Sequence, residues 1–263
     1  MSINTAPVSL SEPVSLSEWF STPLGARLLD IELNYFDREL ADVFGFNAIQ
    51  LGLPEYPYLR ANRIPFRCVT GCDGPVGVRS DPCALPLQTA SVDLVVLPHT
   101  LEFSSNPHQV LREVSRVLMP EGHVVLSGFN PWSLWGARRL AARREGAYPW
   151  CGQFINLPRI KDWMALLGFE LAGGRMCSYA PPLASEKWSR RWSFMESAGD
   201  RWWPFAGGIY YLHGIKRIQG MRLITPQWKA VHVKKKALAA VPNKTNGRDD
   251  AMAARTNHAG DPQ

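Results

Sequence analysis

The stretch from Ser91 to Ser127 constrains the fold most, because a buried strand, a helix and a second buried strand follow one another there at short spacing. Ser91-Val-Asp-Leu-Val-Val-Leu97 is a nearly unbroken apolar, β-branched run, the pattern of a parallel strand covered on both faces. Asn106-Pro107 then offers an N-cap side chain and a proline for a first helical turn. Val110, Leu111, Val114, Val117 and Leu118 fall on one face of that helix. Pro120-Glu-Gly122 breaks it, and His123-Val-Val-Leu-Ser127 reads as the next buried strand. Strand, helix and strand in this order make a βαβ unit, whose crossover is right-handed in nearly all proteins.

The flanking sequence extends this pattern. Leu29, Leu33, Phe36, Leu40 and Val43 recur at steps of three and four, predicting a helix from about Gly25 to Phe44 with Gly45 as its C-cap. Phe46 to Pro54 reads as a short buried strand ending in a turn, and Phe66 to Thr70 and Gly77 to Arg79 as weaker strands. Farther on, a helix near Pro158 to Leu167, a strand opening at Gly168-Phe-Glu170 and a last strand from Gly208 to Lys216 are expected. The chain is thus read as α/β, with a Rossmann-like, doubly wound, mostly parallel sheet. Its expected organisation is a flexible N-terminus at 1–16, one domain at 17–230 with a Trp-rich insertion near 183–207, and a basic tail at 231–263.

Composition removes several classes. No run of about 18 apolar residues suggests a membrane span, and the first thirty residues lack a signal-peptide order, so a cytoplasmic location is expected. The five cysteines form no C-x-x-C pair, which argues against a disulfide framework or zinc ribbon and for mostly packed free thiols. Cys68, Cys72 and Cys83 lack a fourth ligand nearby, and no metal is expected. The net charge is +6, and half of it sits in the tail, where six basic residues face three acids. What remains on the body is too little to suggest a nucleic-acid partner.

Taken in order and spacing, Asp81-Pro-Cys-Ala-Leu-Pro86, Ser91 to Val95, His99-Thr-Leu-Glu102 and Leu111 to Gly122 resemble the central half of the class I S-adenosylmethionine-dependent methyltransferases, in the type 11 subgroup. Trp19-Phe-Ser-Thr-Pro-Leu-Gly25 and Gly128-Phe-Asn-Pro-Trp132 look like a bacterial branch of that subgroup, so the resemblance covers most of 17–230. It implies a last strand antiparallel to the rest, S-adenosylmethionine as cofactor, and methyl transfer to an unidentified acceptor, with a small apolar molecule as the expectation. In an open parallel sheet, ligands lie beyond the carboxyl ends of the strands where strand order reverses. Gly52, Asp81, Pro98 and His99 stand at such ends. The resemblance assigns Gln50 and Gly52 to the loop around the methionine end, and Asp81 with Pro82 to the adenine amino group. It places Leu97, Pro98 and His99 along the methionine, and makes Asp73 the substitute for an acid that binds the ribose hydroxyls.

One departure is plain. Where the family has an acid followed by G-x-G-x-G, this chain has Gln50-Leu51-Gly52-Leu53-Pro54, with one glycine. The alternative to an enzyme is therefore a methyltransferase-like binding or regulatory protein. A nicotinamide-dependent oxidoreductase is disfavoured, since it needs G-x-G-x-x-G after a strand. Several residues also carry plainer readings. Asp81 suits a turn cap at Asp-Pro, Asp93 orders a neighbouring loop, and Glu102 anchors a helix or, with His99, borders the pocket as a general base. Trp188, Trp192 and Met195, with Lys187, Arg190 and Arg191, read as a helix over the pocket mouth, with membrane-surface and nucleobase contacts as alternatives. A sulfonium donor needs no protein nucleophile, so catalytic residues are left unassigned.

Overall fold

A computed structural model of the chain describes residues 15–141, 147–182 and 205–218, with isolated positions at 195, 199 and 201–203. The Trp188 and Trp192 stripe and the basic tail lie outside the described residues. Seven strands form one sheet: β1 (Asn47–Leu51), β2 (Phe66–Gly71), β3 (Val78–Arg79), β4 (Val92–Leu97), β5 (Leu118–Phe129), β6 (Phe169–Cys177) and β7 (Ile209–Lys216). Their spatial order is β3-β2-β1-β4-β5-β7-β6. The first five run parallel, and β7 is antiparallel to both β5 and β6. The doubly wound sheet and its antiparallel last strand follow the expectation. Five helices belong to the described part: α1 (Leu16–Phe20), α2 (Pro23–Leu40), α3 (Pro107–Val117), α4 (Leu134–Ala141) and α5 (Leu157–Leu166). Among the described residues, no helix is long and apolar enough to cross a membrane.

The period-two alternation of a strand explains why β4 reads as continuously apolar. Leu94 and Val96 join the core under α1 and α2, whereas Val95 and Leu97 join the core under α3 and α5. On the first face, the Trp19 to Gly25 segment packs α1 onto α2 so closely that a Cβ at Gly25 would stand 2.2 Å from the Trp19 carbonyl oxygen. Ser15 and Leu16, expected in the flexible end, are the N-cap and first residue of α1. Asn106 caps α3 as expected, accepting from the Gln109 N–H at 3.1 Å.

Some boundaries moved. α3 stops at Val117 rather than at Pro120, since the residue before a proline disfavours helix, and Leu118 already pairs with Val92. α2 ends at Leu40, so Gly45 is not its C-cap. Instead the buried Asn62 amide donates to the Leu40 and Val43 carbonyls at 2.7 and 3.1 Å. Gly45 is required by Asp93, whose Cβ would lie 2.4 Å from any Cβ placed there. The Asp93 carboxylate accepts from the Phe46 and Asn47 amides at 2.8 and 2.9 Å, and so orders the entry to β1. Of the cysteines, Cys177 alone is buried, while Cys72 and Cys151 are exposed, so the thiols are less packed than expected.

Removing the Asp93 carboxylate leaves two amide donors unpaired at the start of β1. Asp93→Ala should destabilise the protein by about 1–3 kcal/mol, measured by urea unfolding.

Candidate functional site

The chain runs from β1 through β2 to β3 on one side of the sheet and returns to β4 and β5 on the other, so a crevice opens beyond the carboxyl ends of β1 and β4. A cavity of about 540 Å³ lies there. It brings together six of the eight residues assigned to the cofactor: Gly52, Asp73, Asp81, Pro82, Pro98 and His99. Gln50 and Leu97 are buried and do not line it.

Gln50 has a different task. Its Nε2 lies 3.0, 2.9 and 3.0 Å from the carbonyl oxygens of Gly52, Leu53 and Tyr56, and its Oε1 accepts from the Tyr58 amide at 3.2 Å. The loop after β1 is thereby held from inside by one amide side chain. Gly52 and Leu53 have φ of 85° and 47°, two left-handed residues in succession. Glycine ordinarily supplies such a turn, and a leucine there costs about 1–2 kcal/mol. Leu53 also packs against the core, and Pro54 lies over Gly74, where a Cβ would approach its Cγ to 2.7 Å. The turn thus places two residues in the left-handed region, one of them a glycine. Replacing Gln50 with leucine removes four hydrogen bonds from the loop, leaving the Leu53 and Tyr56 carbonyls only the Tyr56 and Tyr58 amides as donors. A loss of about 2–4 kcal/mol is expected in urea unfolding.

Asp81 fulfils its plainer reading and keeps capacity to spare. One carboxylate oxygen accepts from the Cys83 amide at 2.8 Å, closing the turn, and the exposed side chain borders the cavity. Asp73 is exposed on the same rim. Three further walls were not foreseen. Ser15, Leu16 and Ser17 come from α1, Tyr148 comes from a loop far along the chain, and Thr100 spends its hydroxyl on the Leu51 carbonyl at 2.6 Å. Phe103 pairs with Tyr148 at 5.2 Å between ring centroids.

His99 borders the cavity, yet its ring is closed to solvent. It has φ of 48°, and its amide donates to Ser127 Oγ at 3.2 Å. The ring lies between two buried carboxylates: Nδ1 is 3.2 Å from Glu102 Oε1, and Nε2 is 3.2 Å from Glu32 Oε1, off the line of a hydrogen bond. Glu102 Oε1 also accepts from the Phe129 amide at 2.6 Å, and Tyr58 Oη donates to Glu32 Oε2 at 3.1 Å. Phe129 stacks on the imidazole at 4.2 Å. Neither His99 nor Glu102 can reach a substrate proton from this position, and Glu102 secures the end of β5 rather than the following helix. Burial disfavours the His99 cation, but the two carboxylates outweigh it and push the imidazole up to about 10.

The sign of the pH effect follows. The folded imidazole holds its proton more tightly than the unfolded one, whose ordinary value is 6.5. Its contribution to stability is therefore full below about pH 6.5 and lost as pH rises toward about 10. Denaturant titrations across that window should show a decline that His99→Gln lacks.

Residues 66–126 match the family model described as a methyltransferase domain. The uncharacterized protein YafS of Escherichia coli (strain K12) is 34% identical over 58% of this chain and 65% of its own. The malonyl-[acyl-carrier protein] O-methyltransferase of Methylovorus sp. (strain MP688) is 32% identical over 38% of this chain and 33% of its own. The chain therefore spans less than two thirds of the length of these curated relatives. Among solved structures, a SAM-dependent methyltransferase from Thermotoga maritima shares the fold, with a TM-score of 0.53 and 14% identity over 76% of this chain and 94% of its own. The domain match and the shared fold bear out the resemblance to the class I methyltransferases of type 11.

Proposed function

We propose that the chain is an S-adenosylmethionine-dependent methyltransferase and that the cavity beyond β1, β2 and β4 is its cofactor site. The observation that carries this reading is the convergence of Gly52, Asp73, Asp81 and Pro98 on one cavity at the switch point of the sheet. The residues present fit the group. A cavity of about 540 Å³ is within the usual range for a small-molecule site. Gly52 leaves an open backbone at the floor, where an added Cβ would come within 3.4 Å of Thr100 Oγ1. Three acids in the lining, Glu55, Asp73 and Asp81, suit a ligand that presents hydroxyl and amino donors.

In this reading Asp81 accepts from the adenine amino group and Asp73 from the ribose hydroxyls. The Gly52 backbone and the Pro98 to Thr100 turn border the methionine portion. When bound, S-adenosylmethionine supplies a methyl group already activated on a sulfonium. The protein is left to orient the two partners and exclude water, which needs no nucleophilic side chain. The Gln50 amide and the buried Glu32, His99 and Glu102 cluster act behind the wall by fixing the two loops that face the ligand. They are positioning residues.

Calorimetric titration with S-adenosylmethionine and S-adenosylhomocysteine tests the reading. Binding is expected, and Asp81→Ala should weaken it by about 1–3 kcal/mol through loss of a charge-assisted hydrogen bond. No heat and no thermal shift with either compound at about 1 mM would remove the enzyme reading, since such a ceiling corresponds to barely 4 kcal/mol. Binding of both compounds without methyl transfer to any acceptor would favour the regulatory alternative.

A further inference from the structure

A second cavity, of about 670 Å³, lies beside the first. Ser105 lines both, so the two cavities are neighbours that meet at this residue. The segment that forms its far wall is fixed against the turn after β4, because the Gln153 amide donates to the Glu102 carbonyl at 2.8 Å. Gly152 packs so tightly on Phe103 that a Cβ would stand 2.7 Å from the ring. Phe103 in turn lines the first cavity. The two cavities are therefore built around one short piece of chain, from Glu102 to Ser105, and meet at its end.

The second cavity has its own chemistry. Trp132 and Leu140 line it while remaining 75% and 74% exposed, and Phe154 and Trp163 add aromatic surface. Exposed apolar side chains that wall a concave site are the usual mark of a site for an apolar ligand. Arg159 supplies the permanent charge on its wall, His108 borders it as well, and no acid does so among the described residues. Arg159 lies over Trp163, with its guanidinium carbon 5.0 Å from the ring centroid, and His108 meets the same indole edge-on at 5.5 Å. Arg159 has no carboxylate partner among the described residues, so its charge is available to a ligand.

We propose that this cavity is the acceptor site, and that it takes an elongated apolar molecule bearing an anionic group, with the anion at Arg159 and the apolar body along Trp132 and Leu140. The assignment rests on the methyltransferase reading for the role of the site, but its ligand chemistry is argued from the cavity alone.

The test uses the full chain and three probes with one body and different heads: 11-bromoundecanoate, 11-bromoundecanol and (11-bromoundecyl)trimethylammonium, each below its micelle concentration. Bromine quenches nearby indoles, so binding is read from tryptophan fluorescence. The carboxylate should bind at least about tenfold more tightly than the other two, as expected for a charge-assisted contact. Arg159→Gln should abolish that preference while leaving the dissociation constant for S-adenosylhomocysteine unchanged, and saturating S-adenosylhomocysteine should not displace the probe. Trp132→Ala should weaken all three probes and reduce the quenching. Equal affinity for the three heads, or an unchanged preference in Arg159→Gln, would overturn the proposal. So would displacement of the carboxylate by S-adenosylhomocysteine, which would place the probe in the cofactor cavity. If the carboxylate binds as described but S-adenosylhomocysteine does not bind, the methyltransferase reading fails and the acceptor role falls with it. If S-adenosylhomocysteine binds and the carboxylate does not, only the acceptor assignment fails.

Discussion

The arrangement around both cavities depends on one buried ionic cluster. Glu32 from α2, His99 and Glu102 from the turn after β4, and the Phe129 amide at the end of β5 meet in a space closed to water. A buried charge is costly unless it is paired, and removal of one member leaves the others uncompensated. The cluster therefore ties α2, the turn after β4 and the end of β5 together at one point. It sets where α2 crosses the sheet, holds His99 in a left-handed conformation, and points the Pro98 to Phe103 turn toward the first cavity. That turn leads directly to Ser105, which the cavities share.

On the other side of the crevice, Gln50 plays a comparable part with neutral groups. A buried amide spread over three carbonyls is a local device that keeps a loop in one shape whatever its side chains. The two walls of the site are thus held by different means, an ion cluster under β4 and an amide under β1. Both holding groups lie beneath the surface that a ligand would meet.

Much of this was legible in the sequence. The β-branched run at Val92 to Leu97, the Asn106-Pro107 helix start and the strand at His123 to Ser127 follow from periodicity and capping, which are local properties. The positions at the strand ends were also readable, since they depend on sheet topology rather than on distant contacts. What could not be read depends on separation along the chain. Tyr148 reaches the cavity from more than forty residues beyond Phe103, and α1 reaches it from the opposite direction. His99 borders the cavity as its place after a strand suggested, but the burial of its ring beside Glu32 from α2 could not be read from the sequence. Helix α4 escaped notice because it is short and carries Gly136, a residue that usually weakens a helix. There the glycine is required, since a Cβ would stand 2.0 Å from the Pro131 carbonyl oxygen.

The place of β7 has a bearing on how the chain is made. β7 lies between β5 and β6, pairing Phe129 with Ile209 and Cys177 with Ile209 at one end of the sheet. During synthesis on a ribosome, β5 emerges well before β7, and its outer edge has no neighbour for the time that about eighty further residues take to follow. β6 emerges meanwhile with nothing beside it. An open edge of a hydrophobic strand is a template for mispairing with another nascent chain. The parallel half can thus assemble early around the βαβ unit, but the fold closes only when its final strand is wedged between two that have been waiting for it.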